Sequence, residues 1–234
     1  MNMTSYIPKV PGILAELRVI LEGKTMVACL EHMKWLGAFI CIEPVNAALI
    51  GAATTEEEAF GLIQRRPPDF LVVSQKLEAG QGLALVARAK HVSPSIRTLL
   101  VLDDMEHALI DRALGYGCDG ICMKSESFMQ ALRVVAGGGI YYPAGVAKLL
   151  RQRSQLPMAE PLTRREVEVV RGLAMGYTDQ EIARNLIIST ETTRTHVKHI
   201  YQKLQVSNRT QAVVRAIAIG VVTIEWDDQN AMVV

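Results

Sequence analysis

The chain has 234 residues, of which 50% are hydrophobic and 21% are charged, and its formal net charge is +1. This composition can fill a hydrophobic core, so we expect a globular protein of one large or two ordinary domains. The longest apolar stretch, 35–53, is interrupted by Glu43 and Pro44, and the N-terminus lacks the pattern of a signal peptide, so we expect a cytoplasmic location and no membrane span.

The overall charge conceals an asymmetry along the chain. Residues 1–147 carry a net charge of −2, residues 148–220 carry +6, and the last fourteen residues carry three acids and no base. This distribution predicts two domains, the second of which faces a polyanion. The four cysteines form no CxxC pair, so we expect reduced thiols packed in the core rather than redox sensors.

In chain order, the first predicted element is a helix over 12–22, whose apolar stripe requires burial on its own domain or against a second chain. Apolar strands then alternate with amphipathic helices, which predicts an α/β doubly wound parallel sheet of five strands. The predicted strands are 25–30, 47–51, 70–73, 97–102 and 120–123. The predicted helices between and after them are 33–40, 55–66, 82–91, 105–115 and 127–136.

The pattern changes to an all-α domain after a basic, proline-bounded stretch. The predicted helices of this second domain are 163–175, 178–186, 190–204 and 209–219. The predicted division is an N-terminal helical extension (1–23), an α/β domain (24–140), a linker (141–160), an all-α domain (161–220) and an acidic and apolar tail (221–234).

Two motifs suggest ligand sites and are rejected. "GYGCDG" (115–120) has the spacing of a dinucleotide-binding loop, but that loop requires a strand before it and a helix after it, and here the order is reversed. His196 and His199 lie one helical turn apart without a third ligand nearby. We therefore expect no metal and no cofactor, and no enzymatic activity.

The strongest motif lies in residues 162–220. The segment opens with a capping box, Thr163 to Glu166, and its second and third helices are separated by the short turn "IIS". This is helix-turn-helix geometry, in which the second helix of the motif enters the major groove. On that helix the predicted exposed side chains are Thr192, Arg194, Thr195, Lys198 and Lys203, and the predicted apolar face is Val197, Ile200 and Leu204.

Residues 162–220 resemble the LuxR-type DNA-binding domain, with "LTRRE", "EIA", "KL" and "NR" in the matching places. The first domain, with "GCDGICMKSES" (117–127) and "ALRVVAGGGIYYP" (131–143), resembles the receiver and linker of NarL/FixJ-type response regulators. The resemblance implies a transcriptional regulator that binds double-stranded DNA as a homodimer, with its last helix at the dimer contact. It implies that Arg194, Thr195 and Lys198 face base edges and that Thr192 and Lys203 face phosphates. Arg209 either contacts DNA or pairs inside the fold with Glu166 or Glu181.

In that family the third strand of the receiver ends on an aspartate that accepts a phosphoryl group from a histidine kinase. With Asp69 before the strand and Gly82 after it as anchors, this position is Ser74. A serine hydroxyl is a weak nucleophile near neutral pH without an adjacent base, and no histidine lies beside it in the sequence.

The other receiver positions are also altered. In place of the two acids that hold Mg²⁺ after the first strand, the chain has Leu30 and Glu31. The remaining positions are Leu102 or Asp103 for the switch hydroxyl, Ile121 for the switch aromatic and Lys124 for the lysine. We expect Glu31, Ser74, Asp103 and Lys124 to form a degenerate pocket held by hydrogen bonds, with Asp103 as the partner of Lys124.

The sequence thus predicts an atypical response regulator that works without aspartyl phosphorylation. Its receiver would serve in dimerisation or in docking a protein partner. The alternative is a signalling adaptor whose pseudo-receiver binds a protein or small ligand, with DNA binding secondary. Specific retention of duplex DNA at physiological salt distinguishes the two.

Overall fold

The computed structural model describes residues 10–104, 106–124, 128–142, 160–222, 224–227 and 230–233. The chain divides into two compact units, Met1–Gly137 and Gly138–Val234. Most of the predicted linker, 143–159, lies outside the described residues. Among the helices that are described, none combines the length and apolarity needed to cross a membrane.

The N-terminal unit contains a five-stranded parallel sheet in the order β2-β1-β3-β4-β5, which confirms the predicted fold class. The strands are β1 (Met26–Cys29), β2 (Leu49–Ala53), β3 (Phe70–Ser74), β4 (Arg97–Leu102) and β5 (Gly120–Met123). Every residue of β1 and β3 is buried, as expected for central strands covered on both faces. The carboxyl ends of β1, β3, β4 and β5 therefore meet at one edge of the sheet.

Seven described helices accompany the sheet. They are α1 (Val10–Leu21), α2 (Met33–Ile40), α3 (Glu43–Ala48), α4 (Glu56–Arg65), α5 (Gly82–Val92), α6 (His107–Gly115) and α7 (Phe128–Ala136). Thr55 caps α4, because its hydroxyl accepts a hydrogen bond from the amide of Glu58. The predicted helix starts at 105 and 127 lie outside the described residues.

The second predicted strand is displaced along the chain. It was expected at 47–51, but residues 43–48 form the short helix α3 and the strand begins at Leu49. Pro44 stands in the first turn of α3, where its missing amide hydrogen costs nothing and its fixed φ suits a helix. The polypeptide between β1 and β2 is consequently broken into two short helices.

Helix α1 buries its apolar stripe on its own unit, the first of the two predicted alternatives. Leu17 and Leu21 are buried, and the helix contacts α3 and α7. Arg133 on α7 donates to Glu16 at 2.6 Å, and Arg18 forms an ion pair with Glu43 on α3. The described part of the extension, helix α1, is therefore part of the folded α/β unit.

The motif "GYGCDG" contributes a buried carboxylate at the amino end of the sheet. Asp119 is 2% exposed and accepts hydrogen bonds from Lys90 Nζ at 2.6 Å, from Arg97 at 3.0 Å and from the amide of Thr98 at 2.9 Å. A buried carboxylate requires such partners. The motif thus has a structural role, in agreement with its rejection as a dinucleotide loop.

Three of the four cysteines, Cys29, Cys118 and Cys122, are buried, whereas Cys41 is exposed. Burial raises the thiol pKa of Cys29 to about 12 and that of Cys118 to about 11, and it also raises the pKa of Cys122. Because the thiolate is the reactive form, these three thiols are unreactive core groups.

The C-terminal unit contains the helices α8 (Arg164–Ala174), α9 (Asp179–Leu186), α10 (Thr190–Leu204) and α11 (Arg209–Ala218). All four were predicted to within one residue at each end. The tail, for which no secondary structure was predicted, contains an antiparallel strand pair, β6 (Ile224–Asp227) and β7 (Asn230–Val233). Each of these strands has only four residues, too few for a recognisable strand pattern in the sequence.

Candidate nucleic-acid interface and receiver pocket

The helix-turn-helix begins with two reciprocal caps. The Thr163 amide donates to Glu166 at 2.8 Å, as predicted, and the Thr178 amide donates to Glu181 at 2.7 Å in a second capping box that sequence reasoning missed. The signal for the second box was present in "TDQE". These caps fix where α8 and α9 begin and hence how α10 is presented.

The turn between α9 and α10 is set by backbone geometry. Ile187 adopts φ 55°, in the left-handed region that a β-branched residue rarely enters, and its side chain is 93% exposed. The Ile188 amide donates back to Ala183 O at 3.0 Å, and the hydroxyl of Ser189 accepts from the Thr192 amide at 3.0 Å. The chain thus leaves α9 and starts α10 with its terminal amides satisfied.

One face of α10 anchors the helix in the unit. Thr193, Ile200 and Leu204 are buried, and the Thr193 hydroxyl donates to Ser189 O at 3.3 Å. Val197 was predicted to belong to this face, but it is only half-buried and lines an open groove instead. Thr193, one turn before Val197, is buried although it was not predicted to belong to this face.

The opposite face presents most of the predicted DNA contacts. Thr192, Arg194, Thr195 and Lys198 are all exposed on it. Arg194 lies 3.5 Å from Glu191 and 3.8 Å from Asp179, so two acids hold its guanidinium at the surface. The Thr195 hydroxyl donates to Glu191 O at 3.0 Å. Lys198 and Arg194 border a groove of about 600 Å³ that is otherwise lined mainly by uncharged polar side chains of α10 and the start of α11.

Lys203 does not belong to this exposed face. Its ammonium group lies 2.9 Å from Glu166 Oε2, and the carboxylate side chain is only 5% exposed. The lysine thus neutralises a buried acid of α8, and its assignment to phosphates stays a prediction. The helical pattern missed this because one face of α10 passes beside the N-terminus of α8, where Glu166 closes its capping box.

Arg209 is directed into the fold, where its described hydrogen bonds go to backbone carbonyls. Its Nη2 donates to the carbonyl oxygens of Leu173 and Tyr177, each at 2.7 Å. These carbonyls lie at and just beyond the C-terminal end of α8, where the helix leaves acceptors unsatisfied and a cation is favoured. Arg209 thus ties α11 to the end of α8.

In the N-terminal unit, the predicted pocket residues lie at the carboxyl edge of the sheet. Lys124, after β5, lies 2.7 Å from Asp103 Oδ1 and also donates to Glu31. The hydrogen bond from Lys124 lowers the pKa of Asp103. Burial alone would lower the pKa of Lys124, but its two carboxylate partners outweigh burial and raise it. The prediction that Asp103 is the partner of Lys124 is confirmed.

Ser74 does not join this ion cluster through a described hydrogen bond. It is 4% exposed and forms part of the wall of a cavity of about 150 Å³. The wall is lined by Leu30, Trp35, Ala38, Phe39, Ile42, Ser74, Val101, Lys124 and Phe128. Gly82 packs closely against the backbone of Ser74, because a Cβ on Gly82 would lie 1.9 Å from the Ser74 carbonyl oxygen.

The aromatic residues of this wall were missed by sequence reasoning. Trp35 and Phe39 lie one turn apart on α2, and Phe39 meets Phe128 edge to face with ring centroids 5.6 Å apart. Lys124 Nζ lies 5.9 Å from the centroid of Trp35. The signal for these aromatic residues was the apolar stretch that begins at Trp35, shortly after the altered acid position Leu30. Sequence reasoning had considered that stretch only as a possible membrane span.

This donor set does not fit the Mg²⁺ that receivers of this kind hold. Leu30 supplies no oxygen from its side chain, and both carboxylates of the cluster, Glu31 and Asp103, are directed to Lys124. Magnesium requires hard oxygen ligands in near-octahedral geometry. Among the described residues, no group of three acids, histidines or cysteines is placed to hold a metal.

Comparison with known proteins identifies relatives of both units. Residues 160–216 match the family described as bacterial regulatory proteins, luxR family. The response regulator protein VraR of Staphylococcus aureus is 31% identical over 173 residues, which cover 72% of this chain and 83% of that protein.

Solved structures of low identity are also similar. A structure of two RcsB dimers bound to two parallel DNAs matches with a TM-score of 0.47 and 22% identity, covering 84% of this chain and 99% of that one. The response regulator ChrA of a heme-sensing two-component system matches with a TM-score of 0.40 and 24% identity, covering 83% and 96%.

Proposed function

Because the chain belongs to the luxR family of bacterial regulatory proteins, as a response regulator and DNA-binding transcriptional regulator, we propose that α10 reads DNA sequence without prior phosphorylation of the receiver. The observation that carries this proposal is the division of α10 into two faces. Thr193, Ile200 and Leu204 fix the helix in the unit, while Arg194 and Lys198 extend from it into solvent. A helix held in this way can enter a major groove without rearranging the domain.

Within this face, Arg194, Thr195 and Lys198 are the proposed base-reading residues. Arginine and lysine donate to the guanine edge, and a threonine methyl group can contact thymine. The ion pairs of Arg194 with Asp179 and Glu191 are long and exposed, so exchanging them for DNA costs little. Thr192 is the proposed phosphate contact, because it lies in the first turn of α10, where helix amides favour an anion.

A homodimer is the proposed binding form, in which two copies of α10 meet two half-sites. The resemblance to NarL/FixJ-type regulators assigns the dimer contact to α11. Most of the apolar residues of α11, including Val213, Ala216 and Ile217, are buried within the chain. The proposed contact therefore uses the half-exposed side of the helix, which includes Arg215 and Ala218.

Independence from phosphorylation is proposed from the chemistry at the sheet edge. An aspartyl phosphate requires an acceptor carboxylate and a bound metal ion, whereas Ser74 borders an apolar cavity and Lys124 is held by two acids. A phosphoryl group on Ser74 would place roughly two negative charges next to the apolar side chains of Leu30, Phe39 and Phe128. The free-energy cost of desolvating these charges would be large.

The experiment is selection of duplexes from a randomised pool by the purified, unphosphorylated full-length protein. We expect a recurrent sequence with two related half-sites to be enriched and to be retained at physiological salt. Sedimentation of the complex should give two chains per duplex. Enrichment of no sequence, with only salt-sensitive binding to every duplex, would contradict the proposal and favour the signalling adaptor.

A further inference from the structure

The cavity beside Ser74 is apolar at the place where a receiver holds phosphate. Leu30, Phe39, Val101 and Phe128 are apolar parts of its wall, and Trp35 borders it with a half-exposed ring. The polar side chains that line it are Ser74 and Lys124. Moving an ion from water into a cavity with such a wall is unfavourable, because the ion loses its hydration. Moving an apolar molecule into it is favourable, because apolar surface is removed from water.

The size of the cavity restricts what it can hold. At about 150 Å³ it is far smaller than a site for a drug-sized molecule. A cavity of about this volume lined by leucine, isoleucine and phenylalanine stays dry and binds benzene in a well-studied protein. The matching ligand is therefore a single ring or a short branched chain, and a peptide side chain would have to enter past Trp35.

The charges at the edge restrict it further. Lys124 is paired with both Glu31 and Asp103, and Lys76 lies 3.7 Å from Asp103, so the two carboxylates of the described cluster are already neutralised by two ammonium groups. An anionic ligand would have to displace a carboxylate from Lys124 and would be repelled by the other one. A neutral ligand leaves these ion pairs in place and finds one hydroxyl, that of Ser74, in the wall.

We propose that this cavity binds a small uncharged, mainly apolar molecule of about one ring, with one hydroxyl or carbonyl group directed to Ser74. The binding site itself stands on the geometry of the N-terminal unit. Its role as the input of the regulator, in place of phosphorylation, rests on the proposed function. Helix α2 would couple ligand binding to this input role, because it carries Trp35 and Phe39 of the cavity wall and would move to admit the ligand.

The test uses the full-length protein and three fluorinated probes observed by ¹⁹F NMR: fluorobenzene, 4-fluorobenzyl alcohol and 4-fluorobenzoate. We expect both neutral probes to bind and the alcohol to bind about fivefold more tightly than fluorobenzene, the usual net effect of one hydrogen bond. The benzoate should bind most weakly. Tighter binding of the benzoate would overturn the assignment to a neutral ligand, and no binding of any probe would overturn the site.

Two pairs of variants locate the site. Ala38→Leu adds a side chain to the wall and should abolish binding, whereas Ala47→Leu adds the same side chain to an exposed position on α3 outside the wall and should not. Ser74→Ala should make the affinities for the alcohol and fluorobenzene equal, whereas Ser95→Ala, which changes an exposed serine elsewhere in the unit, should preserve their difference. Equal responses within either pair would place the probes elsewhere.

Trp35 supplies a second readout. The chain has two tryptophans, so Trp226→Phe leaves Trp35 as the only one, and its emission should change on saturation with a neutral probe. DNA affinity is measured separately with the selected duplex. Probe binding without any DNA binding would refute the proposed function and leave the site intact, and DNA binding without probe binding would refute the site alone. If the protein binds both probe and duplex but the probe does not change the affinity for the duplex, the input role would be refuted.

Discussion

Lys203 Nζ and Glu166 Oε2 lie 2.9 Å apart and join α10, the proposed DNA-reading helix, to α8, the first helix of its unit. Glu166 also closes the capping box of α8, so one buried carboxylate serves the start of α8 and the end of α10. The position of α10 therefore depends on an ion pair with a buried acid of α8. Stability and DNA affinity are separable on α10 for this reason.

Lys203→Ala should lower the free energy of unfolding of the C-terminal unit by about 3 kcal/mol, because it leaves a buried carboxylate without its cation. Urea denaturation followed by circular dichroism measures this. Lys198→Ala, which removes an exposed lysine from the same helix, is the control and should change stability by less than about 0.5 kcal/mol. Equal stability of the two variants would show that the ion pair contributes nothing.

The same pair predicts a pH dependence of stability. Burial alone would raise the pKa of Glu166, but hydrogen bonds from Lys203 and Thr163 outweigh it and hold the pKa below its usual value of 4.5. A carboxylate with a depressed pKa in the folded state stabilises the fold above its unfolded pKa, and this stability is lost as pH falls through the folded pKa. Between pH 6 and the acid range below 4.5, wild type should therefore lose more stability than Glu166→Gln. Glu168→Gln, a more exposed acid of the same helix, should retain the wild-type slope.

Arg194→Ala and Lys198→Ala should each weaken binding to the selected duplex by about 1–3 kcal/mol and relax its sequence preference, because a contact to a base edge is lost. Fluorescence anisotropy with the selected duplex and single-base variants measures both effects. Arg66→Ala removes one positive charge from an exposed position in the N-terminal unit and is the matched control. If affinity fell equally for all duplexes in the two α10 variants, these side chains would be phosphate contacts.

Leu17→Ala should destabilise the N-terminal unit by about 2–5 kcal/mol, because Leu17 is fully buried where α1 packs on the unit. Val19→Ala on the same helix removes a side chain that is 73% exposed and should cost less than about 0.5 kcal/mol. Deletion of residues 1–23 should likewise lower the melting temperature. An unchanged melting temperature after deletion would show that α1 contributes no stability.

Ser74→Asp should not make the receiver a substrate for acetyl phosphate in the presence of Mg²⁺, because Leu30 still withholds a metal ligand and Lys124 remains held by Glu31 and Asp103. Phosphate incorporation is measured by mass spectrometry, beside a response regulator with an intact acceptor site. Ser74→Ala, without added ligand, should bind the selected duplex with wild-type affinity. Stoichiometric phosphate on the wild-type receiver, coupled to a change in DNA affinity, would sink the phosphorylation-independent mechanism.

Local patterns in the sequence determined the elements and their order. Continuous apolar runs predicted the strands, and the Thr163–Glu166 cap and the "IIS" turn predicted the helix-turn-helix, because these signals act within one turn or one strand. The place of Ser74 at the end of β3 was also readable from the sequence. The exposure of Arg194 and Lys198 followed from helical periodicity alone.

Contacts between distant segments were decided only by the tertiary structure. Periodicity places Lys203 on a polar face but cannot show that Glu166, 37 positions earlier, lies beside it. It likewise cannot show that Arg209 caps α8, or that Trp35 and Phe39 line an apolar cavity beside Ser74. The physical reason is that burial and ion pairing depend on which surfaces meet, and one residue's neighbours along the chain do not specify its neighbours in space.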